Sequence, residues 1–395
     1  MLFWGNGLPV AAVPDELYKL SSQEFLPAIP MFCLTGYLLA EGGAGHRLMR
    51  CFMAFLGWMP GGLAIVTTLV LAFFTPLTGA SGITILSLGG LLLPMLTAAK
   101  YPEKSSIGLV TVSGSIGLLL PPSLPVILYA IAAQVPIHKL FLASLGPGLI
   151  LILVVAAWGA RQGWRAGAST QAFRWREAAP AVWEAKWELM LPVVVLVSYF
   201  GGYATLVDTS AVAAVYAFAV ECFVHRGVRL RKDLPRIAVE CATLIGAFLI
   251  IVGVALSFTN YLVTAEVPMK LLDWVQSHIE SPLVLILALN LFLLLVGAVM
   301  DIYSAILVVV PLIVPLGAAY SIDPLHLGVI FLANMELGYL MPPMGENLFL
   351  AAFRFGRPLS AIYVSTIPYL ILLAATVILF SYVPALSIWL AALAG

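Results

Sequence analysis

The sequence predicts an all-α polytopic membrane protein, and three observations carry that prediction. The 395 residues are 62% hydrophobic and 10% charged, with a mean hydropathy of +1.06. A soluble domain is nearer ~25% charged, so this chain cannot coat a globular surface with hydrated groups and its solvent must be mostly lipid. The apolar runs are too long for barrel strands and do not alternate, which leaves helices. With ~20 apolar residues per pass, the length allows about ten or eleven passes plus connections. The formal net charge is zero, which implies no nucleic-acid partner.

Taken in order, apolar segments run over 26–42, 61–74, 106–133, 140–160, 189–204, 207–224, 237–257, 282–299, 325–353 and 360–390. Of the 19 Lys and Arg, five lie between Arg161 and Lys186 and five between Arg226 and Arg236. That bias places both loops in the cytoplasm, with 189–204 and 207–224 as a two-pass hairpin between them. Residues 75–99 are apolar but interrupted by Pro76, Gly79, Gly82, Gly89, Gly90 and Pro94, and residues 300–320 carry Asp301, Pro311 and Pro315. Both read as re-entrant helical hairpins, because irregular backbone at membrane depth must be packed in protein or line a cavity. Residues 44–58 and 258–279 are more polar and mildly amphipathic, as expected of arms along the membrane surface. Cys33, Cys51, Cys222 and Cys241 show no metal or redox spacing and read as small buried hydrophobes. No signal peptide is expected at the N-terminus, which lacks a cationic leader region.

An internal repeat is the most informative feature. GSIGLLLPPSLP (114–125) and MELGYLMPPMGE (335–346) share G-x-x-x-P-P. One constant offset along the chain carries Gly117 to Gly338, Pro121 to Pro342, Pro122 to Pro343 and, further upstream, Pro94 to Pro315. A Pro-Pro pair removes two donors and must break a helix, and each freed carbonyl in lipid is costly unless something binds it. Paired broken helices in two halves of a chain mark a transporter's site, where unwound carbonyls suit a cation and half-helix N-termini an anion. Polar residues gather there. Thr78, Ser81 and Thr84 line the first hairpin tip, and Ser113, Ser115 and Ser123 flank the first Pro-Pro. Asp301 and Ser304 open the second hairpin, while Asn334, Glu336, Glu346 and Asn347 flank the second Pro-Pro. Carboxylates at such depth are candidate functional groups by default.

These residues resemble a known family. FLPAIPMFCLTGYLL (25–39), PGGLAIVTTL (60–69), TGASG (78–82), GSIGLLLPPSLPVILY (114–129), KLFLASLGPGL (139–149), VGAVMD (296–301), the long run 310–349 and SYVPALSIWL (381–390) resemble the large membrane (M) subunit of TRAP, the tripartite ATP-independent periplasmic transporters. The resemblance covers nearly the whole chain. It implies an inverted-repeat, ion-transporter-like fold of elevator type. It also implies a bacterial inner-membrane permease that works with a small membrane (Q-type) subunit and a periplasmic substrate-binding protein. Sodium-driven uptake of a small organic acid, often a dicarboxylate, is the implied activity, with sodium as coupling ion and no other cofactor. By motif match it implies sodium at Thr78, Gly79, Ser81, Gly82, Asp301, Gly338, Pro342 and Gly345. Substrate contacts are implied at Ser113, Gly114, Pro121, Pro122, Ser123, Asn334, Pro343 and Asn347.

The implied organisation is scaffold helices and an arm over 1–74 and a first transport repeat over 75–160, with its hairpin at 75–99 and broken helix at 106–133. A cytoplasmic loop, central scaffold helices and a second arm follow over 161–299. A second transport repeat covers 300–357, with hairpin 300–320 and broken helix 325–353, and a C-terminal helix covers 358–395. The chain departs from the family in its TGASGITI tip, in Glu346 where an apolar residue is usual, and in lacking an acidic residue at Tyr37. The family usually begins with one more helix, of which MLFWGNG resembles the tail. Six passes between residues 26 and 237 is an even number, whereas inversion needs an odd one, so inversion rests on the resemblance alone.

Two other readings compete. A stand-alone ion-coupled carboxylate carrier of the wider ion-transporter superfamily would need neither partner. Gly79-Ala80-Ser81-Gly82 also matches the G-x-S-G of rhomboid-type intramembrane proteases. That chemistry needs a base beside the serine, and the five histidines sit at segment ends or loops.

Overall fold

The computed structural model describes residues 18, 26–170 and 172–393. The described chain is helical throughout. Seventeen α-helices follow one another: α1 Ala28–Glu41, α2 Ala44–Leu56, α3 Gly62–Thr78, α4 Ser81–Ala98, α5 Glu103–Ile116, α6 Leu124–Ala132, α7 Ile137–Arg165, α8 Trp175–Phe200, α9 Leu206–Ala219, α10 Asp233–Thr264, α11 Val267–His278, α12 Pro282–Val299, α13 Ile302–Ala319, α14 Pro324–Gly338, α15 Glu346–Phe355, α16 Leu359–Tyr382 and α17 Ala385–Leu393. A 3₁₀ turn, Gly117–Leu119, extends α5, and a π turn, Val220–Val224, extends α9.

The repeat is larger than its Pro-Pro signature suggests. The offset that carries Gly117 to Gly338, applied to α1 through α7, lands on the C-terminal part of α10 and then on α11 through α16. The match holds to within a few residues at each end, except where α16 stops before Pro384. α4 maps onto α13 without remainder, since Ser81 meets Ile302 and Ala98 meets Ala319. Packing follows the same rule. α4 lies against α15 of the other half, and the equivalent α13 lies against α6. α8 and α9 stand between the two copies and pack on α2 and α1.

Both Pro-Pro segments break a helix, as expected. α5 with its 3₁₀ turn and α6 are bent by 43° across residues 120–123, and α14 and α15 are separated by 339–345. The stretches 75–99 and 300–320 behave differently from expectation. Each holds a single complete helix, α4 or α13, and the chain breaks at its N-terminal end, at Gly79–Ala80 and Met300–Asp301. Pro76, Pro94, Pro311 and Pro315 all lie inside helices. A membrane helix tolerates such residues where neighbouring helices, Ser and Thr hydroxyls or local adjustments of the backbone re-satisfy the freed carbonyls. What ends α3 is Gly79 at φ 72°, a left-handed cap without the penalty a Cβ would bring.

Among the described residues, seven helices are long and apolar enough to cross a membrane, or eight if the bent pair is one span, against ten expected segments. α1 and α3 have 14 and 17 residues, short of a full pass. α8 begins at Trp175, so its first half carries charge, and Lys186 belongs to this helix rather than to a loop. The expected segment 237–257 is part of the 32-residue α10, which takes the start of the second arm with it. The segment 360–390 is cut at Val383–Pro384, where proline cannot continue the helix.

The charged half of α8 has a structural explanation. Arg47 of α2 donates through Nε to Glu188 of α8 at 2.5 Å and through Nη2 to Glu221 in the π turn, and through Nη1 to the Gly42 carbonyl at 3.0 Å. Both carboxylates are fully buried. Arg50–Glu184, at 2.7 Å, continues the row at the surface. The arm α2 is thus docked on protein, not only on lipid. The four cysteines are free thiols and buried, in line with the hydrophobic reading.

Candidate functional site

The two tips and the two breaks meet. Between the repeats lies a small cavity of ≈ 20 Å³, lined by Gly79, Ala80, Ser81 and Leu118 from the first copy and by Ile302, Tyr303, Tyr339 and Glu346 from the second. Ser81/Ile302 and Leu118/Tyr339 are repeat partners under the common offset, so the cavity sits at the junction of the two copies. No Lys or Arg lines it. One water needs roughly 10–15 Å³, so the space admits a water or a dehydrated ion, but not an organic acid of several carbons.

The first tip is closed by residues of the second copy. Gly79 follows α3 in the left-handed region and Ala80 is extended, at φ −138° and ψ 121°. Thr78 fixes the turn, with Oγ1 3.2 Å from the carbonyls of Thr75 and Ala80 and 3.0 Å from Thr84 Oγ1. Ser81 Oγ donates to Asn347 Oδ1 at 2.7 Å, and Tyr303 OH donates to the Gly79 carbonyl. Gly82 faces Leu350 and Glu346 of α15, where a Cβ would collide with Leu350. No side chain caps the amides that open α4.

The second tip closes itself. Asp301 accepts from the amides of Tyr303 and Ser304, both at 3.0 Å, and from Ser304 Oγ at 2.5 Å. This is an N-cap, which meets the orphan donors of α13 locally. The Ile302 amide donates to Tyr339 OH at 2.6 Å, tying the tip to the break after α14.

The other expected positions are spread more widely. Ser113 Oγ donates to Thr68 Oγ1 at 3.2 Å, and the Gly114 carbonyl accepts from Thr75 Oγ1 at 2.9 Å, so both face α3. Pro121 and Pro122 line a separate apolar cleft with Phe32, Phe141 and Tyr199. Gly338 lets α14 approach α12 closely, and a Cβ there would run into the Gly297 backbone. Pro342 and Pro343 are exposed, and Gly345 is the buried residue from which α15 starts. Asn334 donates to Asn290 Oδ1 and to the Ile330 carbonyl, both at 2.8 Å.

Some of the buried polar atoms without a partner lie near the breaks, and others lie elsewhere in the fold. Ser123 Oγ, Asn334 Oδ1, Glu336 Oε1 and Asn347 Nδ2 are among the former. An open donor or acceptor in a protein interior calls for an explanation such as a bound ion or water. The residues that sequence reasoning passed over are Tyr303 and Tyr339. Each is a phenol beside a tip or break and close in sequence to a marked carboxylate, Asp301 or Glu336, which is the signal that could have singled them out. Ser81 is engaged with the Asn347 amide, and no histidine lines the cavity.

Residues 1–386 match the family model described as the DctM component of the tripartite ATP-independent periplasmic transporters. The chain is 33% identical over 381 residues to the C4-dicarboxylate TRAP transporter large permease protein DctM of Pseudomonas aeruginosa, covering 96% of this chain and 89% of that one. It is 31% identical over 390 residues to the isethionate TRAP transporter permease protein DctMQ of Oleidesulfovibrio alaskensis, covering 98% of this chain and 61% of that protein. Its fold is similar to that of the YdaH transporter of Alcanivorax borkumensis, with a TM-score of 0.69 at 14% identity over 95% of this chain and 87% of that one.

Proposed function

This chain, a multi-pass membrane protein, belongs to the DctM component family of the tripartite ATP-independent periplasmic transporters, and we propose that it is the large permease subunit of a sodium-driven importer of a small organic acid. It would sit in the bacterial inner membrane with a small membrane subunit and receive its substrate from a periplasmic binding protein. The relatives named above are designated for a C4-dicarboxylate and for isethionate, so the substrate of this chain is proposed only as a small organic anion.

The observation that carries the reading is the cavity at the junction of the two repeats. Its lining is mostly apolar, with Ala80, Leu118 and Ile302, and its polar members are Gly79, Ser81, Tyr303, Tyr339 and Glu346, with no basic side chain. Such a lining suits a cation in a low-dielectric setting, which would then supply the positive charge an anionic substrate needs. In this reading sodium binds between the tips at Thr78, Gly79, Ser81 and Asp301. The cavity is too small for the substrate in this arrangement, so loading requires the tips to part from the breaks. Movement of the two repeats' tips and broken helices as a transport unit, in elevator fashion, is the corresponding proposal for the cycle.

The test is uptake in proteoliposomes holding this subunit, its small partner and the cognate binding protein, with and without an inward sodium gradient. Uptake that requires both sodium and binding protein, and that falls in Asp301→Ala and Ser81→Ala, is the expected result. Sodium-driven uptake without the binding protein would favour a stand-alone carrier, and indifference to sodium would overturn the ion site.

A further inference from the structure

Glu336 is a carboxylate placed where nothing neutralises it. It lies on α14, two residues before the end of that helix, and is 3% exposed. Its Oε1 has no hydrogen-bond partner, and the carboxyl faces the backbone amide of Leu119, in the 3₁₀ turn of the other repeat. The elements around α14 offer no countercharge. Helices α6, α12, α13, α16 and α17 contain no Lys, Arg, Asp or Glu within their bounds. α7 carries His138 and Lys139 in its first turn, Arg165 in its last and Arg161 one turn before that.

The neighbouring titratable groups are accounted for. His326 of α14 is bound to Ser387 and the Ser381 carbonyl, Tyr339 to the Ile302 amide and Tyr369 of α16 to Ser105. Tyr303 of α13 is bound to Gly79, Tyr320 at the end of α13 to the Ile279 carbonyl and Tyr382 of α16 to the Leu283 carbonyl. Tyr363 of α16 lies 3.5 Å from the Pro343 carbonyl, and Tyr129 of α6 has a free hydroxyl. None is a cation that could pair with Glu336. A bare carboxylate with one amide donor is far too costly in such a place, so the group must hold a cation of its own.

The counterpart of Glu336 in the first repeat is Ser115, whose hydroxyl is used within its own helix at 2.9 Å from the Val112 carbonyl. Only the second copy sends an ionisable group across to the opposite break. Glu336 is also close to the junction cavity, since Tyr339, one helical turn on, and Leu118, the neighbour of Leu119, both line it.

We propose that Glu336 is a proton-binding site of the transport cycle, loaded in the arrangement described here and emptied when the first break moves away from α14. The step is simple protonation. Oε1 takes a proton from water to give the carboxylic acid, and on release the proton returns to water on the opposite side. The inference rests on the transport reading, and one arm of its test does not.

That arm is infrared difference spectroscopy of the purified subunit against Glu336→Gln near neutral pH. A carbonyl band of a protonated carboxylic acid, lost in the variant, is expected, and its absence from the unaltered protein would overturn the proposal. The second arm compares uptake and substrate exchange in the reconstituted transporter. Glu336→Gln, which keeps the shape but cannot release a proton, is expected to lower net uptake on the order of tenfold while exchange persists. Its uptake would lose the pH dependence of the unaltered protein, and Glu336→Asp would restore part of it. Unchanged uptake and pH profile in Glu336→Gln would make Glu336 a mere neutral filler and sink the idea. A shift in sodium dependence without any shift in pH profile would make it a sodium ligand instead. If the unaltered protein shows no uptake at all, the transport reading fails while the infrared result still decides the protonation state.

Discussion

The two tips occupy equivalent places in the repeat yet start their helices in opposite ways. Asp301 caps α13 from within its own turn, whereas Ala80, its counterpart, leaves α4 uncapped. Across from each tip the contrast continues. Ser81 reaches Asn347 of the other copy, while their counterparts Ile302 and Val126 are buried hydrophobes. Duplication thus supplied two copies of one backbone path, and side-chain divergence made one tip self-sufficient and the other dependent on the opposite copy. On the proposed transport cycle, a tip that relies on its neighbour is the one suited to open and close.

That contrast can be broken most forcefully at the turn itself. Gly79→Val forces a β-branched residue to φ 72° and drives its Cβ at Leu124. A loss on the order of 3 kcal/mol is expected, read as a lowered thermal midpoint in detergent, together with lost uptake. Asp301→Ala removes the cap of α13 and should cost about 1 kcal/mol, most of it recovered in Asp301→Asn. If Asp301→Asn recovers stability without recovering sodium-driven uptake, the charge serves binding as well as capping. Ser81→Ala and Asn347→Ala should each cost about 1 kcal/mol, but together little more than either alone, because they break the same bond. Additive losses in that double-mutant cycle would mean that the cross-repeat bond contributes nothing. The smallest effect is a gain. Ala80→Asp gives α4 the cap that α13 has, in extended backbone already suited to it, and should stabilise by a few tenths of a kcal/mol up to about 1. Uptake should fall in the same variant, since the first tip would then close itself.

Much of this plan is legible in the residues. Two Pro-Pro pairs, with Gly117/Gly338 and Pro94/Pro315 at the same offset, locate both breaks and tie them together. The full extent of the repeat is not legible, because α1 with the C-terminal part of α10, or α7 with α16, correspond in position under the offset rather than through a shared motif. Apolar side chains against lipid need only be apolar, so little in them records descent. The breaker residues mislead for a related reason, as prolines that would end a helix in water are carried inside α3, α4 and α13. The start of α8 was hidden because its charges read as a loop, whereas Glu184 and Glu188 are held against α2 by Arg50 and Arg47. The cavity itself depends on Tyr303 and Tyr339, whose partners lie 224 and 37 residues away along the chain. No local pattern encodes such a pairing.

The constant offset between the copies also has a use at the bench. From Ala28 to Arg165 and again from the middle of α10 to the end of α16, no net residue separates one copy from the other. A tag or reporter inserted anywhere in those stretches would put a helix out of step with its counterpart. The turn of residues 201–204 belongs to neither copy and joins α8 to α9, with Tyr203 exposed and open space beside Gly202. It is a position where an epitope or a fluorescent domain can be spliced in with little disturbance to either copy.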